Sequence, residues 1–371
     1  MKILGIETSC DETAAAVVED GVKILSNVVV SQIDIFAEYG GVIPEVAARS
    51  HLEAMLPVID KALSDASCTW NEIDAIAVTH APGLLGSLLI GTLTARTLAI
   101  LHDKPLYAVH HLKSHVYANW LSGGGAQARS SSDTLKGARP SLRPSKDLTL
   151  SSVAPDFPLL ALVVSGGHTQ ILYMRGHNQF EIVGTTHDDA VGECFDKVAK
   201  ILGLPYPGGP SIASVAKGES GNPDRYRLPH PKVEGLDFSF SGLKTAVLRA
   251  VQKEVGVPIS YPSHQLKELL SEQQVRDFAA SFQKTAVEIL CEKIKLALEK
   301  YPDVQSVVVA GGVSANKALR EALPEAYFPA PALSGDNGAM VGAAAYYEIQ
   351  SGTKPTDPYK LNIYPRISIE K

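Results

Sequence analysis

Short apolar runs separated by polar or glycine turns open the chain. The first runs, at 3–6, 14–18 and 22–30, have the length and composition of β-strands and are separated by ETSCDET and by Gly21. The same order returns at 158–184, where PLLALVVS, QILYM and FEIVG are separated by GGHT and by Gly176. The pattern predicts two related three-stranded meanders, each with a polar first turn.

A second repeated pattern lies downstream of each meander. An apolar strand enters a helix through glycines in EIDAIAVTHAPGLLGSLLIGTLTARTLAI and again in DVQSVVVAGGVSANKALREAL. Together the two repeats predict an α/β fold of two duplicated lobes that face each other across a cleft, with the polar turns directed inward. A chance match between common βββ and βα units is the alternative. Apolar positions at helical spacing over 264–300 predict helical decoration on the second lobe.

The domain organisation follows from these repeats. We expect a first lobe at 1–121, completed by 337–371, and a second lobe at 156–336 with a helical insertion at about 190–300. Between them, 122–155 holds eight Ser, four Gly and three Pro, with five basic and two acidic residues. This composition predicts a solvated, disordered insertion, and a basic arm that contacts RNA phosphates is the alternative.

Composition bounds the class of protein. The 371 residues are 45% hydrophobic and 20% charged, enough apolar material for a sizeable core, which excludes disorder, collagen and coiled coil as descriptions of the whole chain. A net charge of −6 gives no strong electrostatic reason for autonomous nucleic-acid binding. Four widely spaced cysteines without a CxxC pair, and no apolar run long enough for a signal peptide or a membrane span, predict a cytoplasmic protein without a membrane partner.

The clearest candidate chemistry is a metal centre. In YAVHHLKSHVYANW, His111 and His115 are four residues apart in a helical pattern, so both imidazoles project from one face. The glutamate of an HExxH zinc peptidase is missing. Asp336, in the turn before a helix of small residues, is the candidate third ligand, and a helix N-cap is its alternative role. Two histidines and one carboxylate leave open coordination positions and suit iron or zinc.

Glycine pairs indicate a nucleotide cleft. Gly166–Gly167, Gly208–Gly209 and Gly311–Gly312 can bring backbone amides close to a phosphate or ribose, whereas neither a P-loop nor a GxGxxG motif is present. Acidic residues occur in the first polar turn and in HDDAVGECFDK. A helix from Ala190 would place Asp196 on one face with Glu193, for contact with a ribose or a hydrated cation; a solvated acidic helix start is the alternative.

Ten motifs in order carry a resemblance to a known family over almost the whole chain. They are GIETSCDET (5–13), GGVIPEVAARSH (40–51), HAPGLLGSLLIG (80–91), VHHLKSH (109–115), LVVSGGHTQ (162–170), DDAVGECFDK (188–197), YPGGP (206–210), FSFSGLKTAV (238–247), AGGVSANKALR (310–320) and DNGAM (336–340). The chain resembles the TsaD-type tRNA threonylcarbamoyladenosine transferases, within the sugar kinase/actin/Hsp70-like superfamily. The resemblance implies two actin-like (RNase H-like) lobes around a nucleotide cleft.

The resemblance also implies an activity. Threonylcarbamoyl would pass from threonylcarbamoyl-AMP to the exocyclic amine of adenosine 37 in tRNAs that read codons beginning with A. The expected partners besides tRNA are a paralogous dimerisation partner and a small P-loop ATPase. By motif position the metal ligands fall on His111, His115 and Asp336, with iron(II) favoured and zinc an option. The expected substrate-binding residues are Val163, Val164, Ser165, Gly166, Gly167, Asp196, Gly209 and Asn316.

Glu12 and Asp11 are the candidates for removing the amine proton during transfer. The chain departs from the family pattern at Ala213, where many relatives carry an aspartate, and this predicts the loss of one ribose contact. It also departs in a short stretch between Asn316 and Asp336 that ends in Ser334–Gly335, which leaves the reach of Asp336 to be decided by the structure. The alternative functions are a metallopeptidase, a non-catalytic nucleotide-binding scaffold and a small-molecule kinase.

Overall fold

The computed structural model describes residues 1–121, 154–217 and 221–370. The predicted insertion at 122–155 lies outside these ranges, apart from Ala154 and Pro155. Within the described residues, the strands are β1 (Lys2–Glu7), β2 (Glu12–Glu19), β3 (Lys23–Ser31), β4 (Ala75–Ala81), β5 (Leu106–His110), β6 (Leu159–Val164), β7 (Thr169–Gly176), β8 (Gln179–Thr185) and β9 (Ser306–Ala310).

The helices are α1 (Ile33–Tyr39), α2 (Pro44–Asp65), α3 (Leu85–Leu101), α4 (His111–Tyr117), α5 (Val191–Leu202), α6 (Gly208–Ala216), α7 (Ser241–Glu254), α8 (Glu272–Lys300), α9 (Lys317–Ala322) and α10 (Gly338–Gln350). They follow the two meanders and the later strands, with α5 to α8 in succession between β8 and β9. None of the helices in the described ranges is long and apolar enough to cross a membrane.

The four strands of the second sheet have the same order as the first four strands of the first sheet, which adds β5 at its edge. In the first sheet the order is β3-β2-β1-β4-β5, with β1, β2 and β3 antiparallel and β4 and β5 parallel to β1. In the second the order is β8-β7-β6-β9, with an antiparallel meander and β9 parallel to β6. The predicted duplication of an α/β lobe with an RNase H-like strand order is therefore confirmed. The lobes differ after the last repeated strand, since α3 has 17 residues and α9 has six.

Two helices, α4 and α10, lie between the sheets and share a core with both. One buried cluster joins Ile3 and Val18 of the first sheet to Val163 and Val308 of the second, together with the small residues of α10. α10 approaches β1 closely because Gly5 faces it: a Cβ on Gly5 would lie 2.2 Å from the carbonyl oxygen of Gly338. This contact holds the start of α10 against the carboxyl end of β1, beside the junction of β5 and α4.

The helical prediction for 264–300 is confirmed for most of its length and is wrong at one point. A short 3₁₀ helix at Ser263–Glu268 is separated from α8, which begins after Ser271. Ser271 and Gln274 form a capping box, in which each side chain bonds the other residue's backbone N–H. This local signal stops the chain from running as one continuous helix.

Candidate metal centre and nucleotide cleft

α4 places the two histidines on one buried face. His110 ends β5 and caps α4, its Nδ1 accepting a hydrogen bond from the backbone N–H of Leu112 at 3.3 Å. The rings of His111 and His115 then meet edge to face, with centroids 4.6 Å apart. The predicted helical pairing of these two imidazoles is confirmed.

Asp336 reaches this face from the segment just before α10. Its Oδ1 lies 3.1 Å from Nε2 of His115 and 3.6 Å from Nε2 of His111. Asn337, and not Asp336, caps α10, because its side chain accepts from the backbone N–H of Met340. The alternative role of Asp336 as a helix N-cap is therefore wrong, and the short stretch after Asn316 does not prevent Asp336 from reaching the histidines.

The three side chains fit a metal ion. One ligand atom from each lies within 4.8 Å of the others, and no other group of three or more His, Cys, Asp or Glu in the described ranges converges in this way. Both ring nitrogens of His115 are buried and have no hydrogen-bond partner there, so the 3.1 Å approach of Asp336 lacks hydrogen-bond geometry. Ligands directed at a common point, with nitrogen lone pairs unpaired, are what a cation requires.

Asp336 and His111 each favour the charged form of the other. Burial disfavours the charged forms of both partners, but the carboxylates of Asp336 and Glu7 outweigh it and raise the pKa of His111 to about 9. In the same way the imidazoles of His111 and His115 outweigh burial and hold the pKa of Asp336 at about 2. At neutral pH Asp336 is thus ionised, as a metal ligand must be, whereas His111 carries a second proton that a metal bound at Nε2 would displace.

The first polar turn lies beside this centre. Its Cys10 carbonyl accepts hydrogen bonds from Nε2 of His51 at 3.0 Å and from Oγ of Ser87 at 3.2 Å, which tie the turn to α2 and α3. Glu12 ends this turn as the first residue of β2. Burial, followed by the charges of Asp336 and Asp11, raises the pKa of Glu12 to about 10.

The glycine pairs divide into packed and open positions. A Cβ on Gly208 would lie 2.5 Å from the Cα of Asp196, and one on Gly311 would lie 2.4 Å from the carbonyl oxygen of Val164. By contrast, a Cβ on Gly166, Gly167 or Gly209 would meet nothing within 4 Å. Packing within the protein does not demand glycine at these three positions, whereas close approach of a ligand to the backbone would.

Other residues of the predicted cleft have identifiable partners. Val163 and Val164 are fully buried, belong to different core clusters and pair with β7, so their side chains are not available to a ligand. Ser165 closes the turn, its Oγ accepting from the backbone N–H of His168 at 3.1 Å. Both ends of the Asn316 side chain are engaged, since its oxygen caps α9 and its Nδ2 donates to Gln283.

The helix predicted from Ala190 in the acidic motif of the second lobe is present. α5 follows Ala190, and Asp196 accepts a hydrogen bond from the backbone N–H of Gly208 at 2.7 Å. Burial and then the neighbouring carboxylates of Glu193 and Asp11 raise the pKa of Asp196. Asp11, whose charge contributes to this shift, follows β1 of the first lobe, whereas Asp196 lies in α5 of the second.

Two residues of the site were missed from the sequence. Glu7, at the end of β1, lies with one carboxylate oxygen 3.1 Å from Nδ1 of His111. Burial, together with the neighbouring imidazoles of His111 and His115, lowers the pKa of His168 to about 4. Glu7 lies in GIETSCDET and His168 in LVVSGGHTQ, each just after the apolar run of a predicted strand. A polar residue at that position is the sequence signal that could have identified them.

These features define a two-lobed α/β protein with a cluster of two histidines and one aspartate where α4 meets the start of α10. The family model described as tRNA N6-adenosine threonylcarbamoyltransferase (TsaD) matches residues 23–128 and 147–343. The chain belongs to this family, as the sequence motifs predicted.

Individual relatives agree with the family model. A protein of Symbiobacterium thermophilum named tRNA N6-adenosine threonylcarbamoyltransferase is 47% identical over 376 residues, covering 99% of this chain and 96% of its own. A protein of Thermomicrobium roseum with the same name is 46% identical over 367 residues, covering 95% and 93%. Among solved structures, component A of the Acidaminococcus fermentans (R)-2-hydroxyglutaryl-CoA dehydratase is matched over 95% of this chain and 99% of its own, at 14% identity and a TM-score of 0.47.

Proposed function

We propose that the chain transfers threonylcarbamoyl from threonylcarbamoyl-AMP to the exocyclic amine of adenosine 37 in tRNAs that read codons beginning with A. The observation that carries the proposal is that a chain of this family brings His111, His115 and Asp336 within 4.8 Å of one another beside open glycine turns. The reaction belongs to the compartment that holds tRNA, the cytoplasm.

The three side chains would hold one divalent cation, with iron(II) favoured and zinc an option. When bound, such an ion supplies Lewis-acid polarisation and alignment of the threonylcarbamoyl carbonyl or carboxylate. Nitrogen and carboxylate donors of this kind support either metal. Metal analysis of protein purified without added metal distinguishes the two.

The residues of the chain bind and orient the substrates. The backbone amides of Gly166, Gly167 and Gly209 are proposed to cradle the phosphate and ribose of the adenylate, because a Cβ at each of these positions would meet no protein atom within 4 Å. Asp196 and Asn316 remain proposed nucleotide contacts. Since Asn316 already caps α9 and binds Gln283, any contact it makes adds to those bonds or replaces them.

Two carboxyl groups are proposed to handle the amine proton. The raised pKa of Glu12 owes part of its shift to the negative charge of Asp336, which a bound cation would offset. Glu12 and Asp11, adjacent in the turn tied to α2 and α3, are both proposed acceptors of the proton.

A metallopeptidase is disfavoured by the surroundings of the histidines. No glutamate occurs in α4, and Glu7, the carboxylate nearest His111, is buried and already bonded to Thr79 and to the backbone of Ser9. It is therefore not free to activate a water molecule. A non-catalytic scaffold and a small-molecule kinase have no specific observation in their favour.

A paralogous dimerisation partner is proposed to bind the first lobe. α2 and α3 pack against each other and expose leucines four residues apart, a pattern typical of a helix that meets another protein. We call this surface the leucine face; it comprises Leu52, Leu56, Leu85, Leu89 and Leu93. A protein of the same fold would present an equivalent helix pair to it. The proposed small P-loop ATPase partner rests on the family resemblance alone.

The domain boundaries are likewise proposed, at 1–121 with 337–371 and at 156–336 with the helical insertion at about 190–300. The close packing of α10 on β1 through Gly5 supports assigning the C-terminal segment to the first lobe.

One experiment tests the activity. A strain lacking its own transferase is complemented with this chain, and its tRNA nucleosides are analysed. We expect threonylcarbamoyladenosine to return with the natural chain and with His187→Ala, an exposed histidine on the second lobe, but not with His115→Ala. Unmodified tRNA in cells that contain the folded natural chain and its partners would contradict the proposal.

A further inference from the structure

The carboxyl ends of three neighbouring parallel strands meet beneath the metal centre. β1 ends at Glu7, β4 carries Thr79 near its end, and β5 leads directly into His111. Parallel pairing places these three residues side by side at one edge of the first sheet. All three residues belong to the first lobe, so their arrangement does not depend on the second lobe.

Glu7 is a fully buried carboxylate, and each of its oxygens is engaged. Oε1 accepts from the backbone N–H of Ser9 at 2.5 Å. Oε2 accepts from Oγ1 of Thr79 at 2.5 Å and lies 3.1 Å from Nδ1 of His111. A buried carboxylate costs several kcal/mol when unpaired, so this set of partners explains how the fold tolerates it.

The imidazole of His111 is therefore held from the side opposite the metal centre. Its Nδ1 faces Glu7 and Oγ of Ser9, at 3.1 Å each, while its Nε2 faces Asp336. A neutral imidazole has one N–H and one lone pair. With the carboxylate at Nδ1, the proton is held there and the lone pair lies on Nε2.

His115 offers the contrast. In the described part of the chain its Nδ1 is buried without a hydrogen-bond partner. The fold thus provides an orienting carboxylate for one of the two histidines only, and the orientation of the other depends on packing in α4.

We propose that Glu7 is a positioning residue that fixes the ring and tautomer of His111 so that Nε2 is presented to the metal. The inference rests on the metal centre of the proposed function. Removing such a partner typically lowers metal affinity about 10- to 100-fold. A purely structural role, limited to tying the backbone of Ser9 to β4, would lower stability and leave the affinity of the folded protein unchanged.

The test uses the full chain and Co(II) as the probe, followed by its visible absorption. Glu7→Gln keeps the size of the side chain and removes its charge, and we expect its Kd for Co(II) to rise about 10- to 100-fold at unchanged stoichiometry. Thr79→Val is the matched control: it removes one hydrogen bond to the same buried carboxylate but leaves the contact with His111, and its Kd stays within about threefold of the natural chain. A Glu7→Gln protein that binds Co(II) as tightly as the Thr79→Val protein overturns the inference.

The outcomes separate this inference from the proposed function. If the natural chain does not bind Co(II), or if His115→Ala binds it equally well, the metal centre itself is wrong. If His115→Ala loses Co(II) while Glu7→Gln keeps full affinity, only the role of Glu7 is wrong. Should Glu7→Gln fail to fold, ¹⁵N NMR of the histidine rings in the zinc-loaded natural chain decides: a protonated Nδ1 on His111 supports the inference, and a metal-bound Nδ1 overturns it.

Discussion

The Nε2 atom of His115 lies 3.1 Å from Oδ1 of Asp336, although the two residues belong to distant parts of the chain. His115 is in α4, which leaves the first sheet after β5, and Asp336 directly precedes the cap of α10. Their meeting depends on α4 and α10 lying side by side between the two sheets. The chemistry of the site therefore depends on the packing of these two helices.

Replacing either residue should remove the metal. We expect His115→Ala and Asp336→Ala each to lose bound metal and to lower transfer by at least about 100-fold, because two remaining ligands bind a divalent ion weakly. Metal analysis by mass spectrometry and a tRNA modification assay measure the two effects. His187→Ala, which removes an exposed imidazole, is the control and should retain both. Full metal content in Asp336→Ala would show that the third ligand is elsewhere.

The cap of α10 should matter to metal affinity as well as stability. Asn337 accepts from the backbone N–H of Met340 and donates to the carbonyl oxygen of Gly335 at 2.9 Å, on either side of Asp336. Asn337→Ala should cost about 1 to 2 kcal/mol of unfolding free energy and also weaken Co(II) binding.

Asn316→Ala is the matched control for that prediction, since it removes an asparagine cap from α9. It should lower stability by a similar amount and leave Co(II) affinity unchanged. Urea unfolding and Co(II) titration of both variants check the pair. Equal Co(II) affinities in the two variants would mean that Asn337 does not position Asp336.

Stability should fall with rising pH because of Glu348 in α10. Burial raises the pKa of Glu348 to about 7, and the nearby cation of Lys113 only partly opposes this. The folded protein thus binds this proton more tightly than the unfolded chain does, so the stabilisation is complete below about pH 4.5 and is lost as pH rises through about 7.

The variant Glu348→Gln should lack this contribution, which is on the order of 3 kcal/mol between pH 4.5 and pH 8. Urea unfolding of the natural chain and the variant from pH 5 to pH 8 measures the difference. Glu299→Gln, at an exposed position of α8, should follow the natural chain. Parallel pH profiles for the natural chain and Glu348→Gln would disprove the assignment.

The adjacent glycines of α6 should respond differently to alanine. In Gly208→Ala the new Cβ meets the backbone of Asp196 at 2.5 Å, and we expect a loss of about 1 to 3 kcal/mol. In Gly209→Ala the Cβ meets no protein atom, so stability should be unchanged or rise by up to about 1 kcal/mol. If Gly209 lines the nucleotide cleft, its variant should nevertheless bind AMP more weakly, as measured by calorimetry. Unchanged AMP affinity would place the ligand elsewhere.

The leucine face should be required for partner binding. Leu89, 43% exposed, lies between Leu85 and Leu93 on α3, and Leu89→Asp should weaken association with the paralogous partner by at least about tenfold without unfolding the chain. Leu296→Asp, at a position 46% exposed on α8, introduces the same charge elsewhere and should bind normally. Size-exclusion chromatography and calorimetry of the mixed proteins measure the association. Normal binding by Leu89→Asp would remove this face from the interface.

Local patterns in the sequence predicted much of the fold. The two meanders, the strands that enter helices through glycines and the four-residue spacing of His111 and His115 depend on neighbouring residues, whose periodicity is visible along the chain. Family membership also followed from the sequence, because long motifs in order are specific without coordinates.

The tertiary structure decided which of these residues meet. Only the packing of α10 against Gly5 of β1 brings Asp336 to the histidines and leaves the capping role to Asn337. Only strand pairing sets Glu7 beside Nδ1 of His111, and only burial next to other carboxylates gives Glu12 its high pKa. These properties depend on distances between residues far apart in the chain and on the exclusion of water around them. Neither quantity is expressed in the spacing of residues along a sequence.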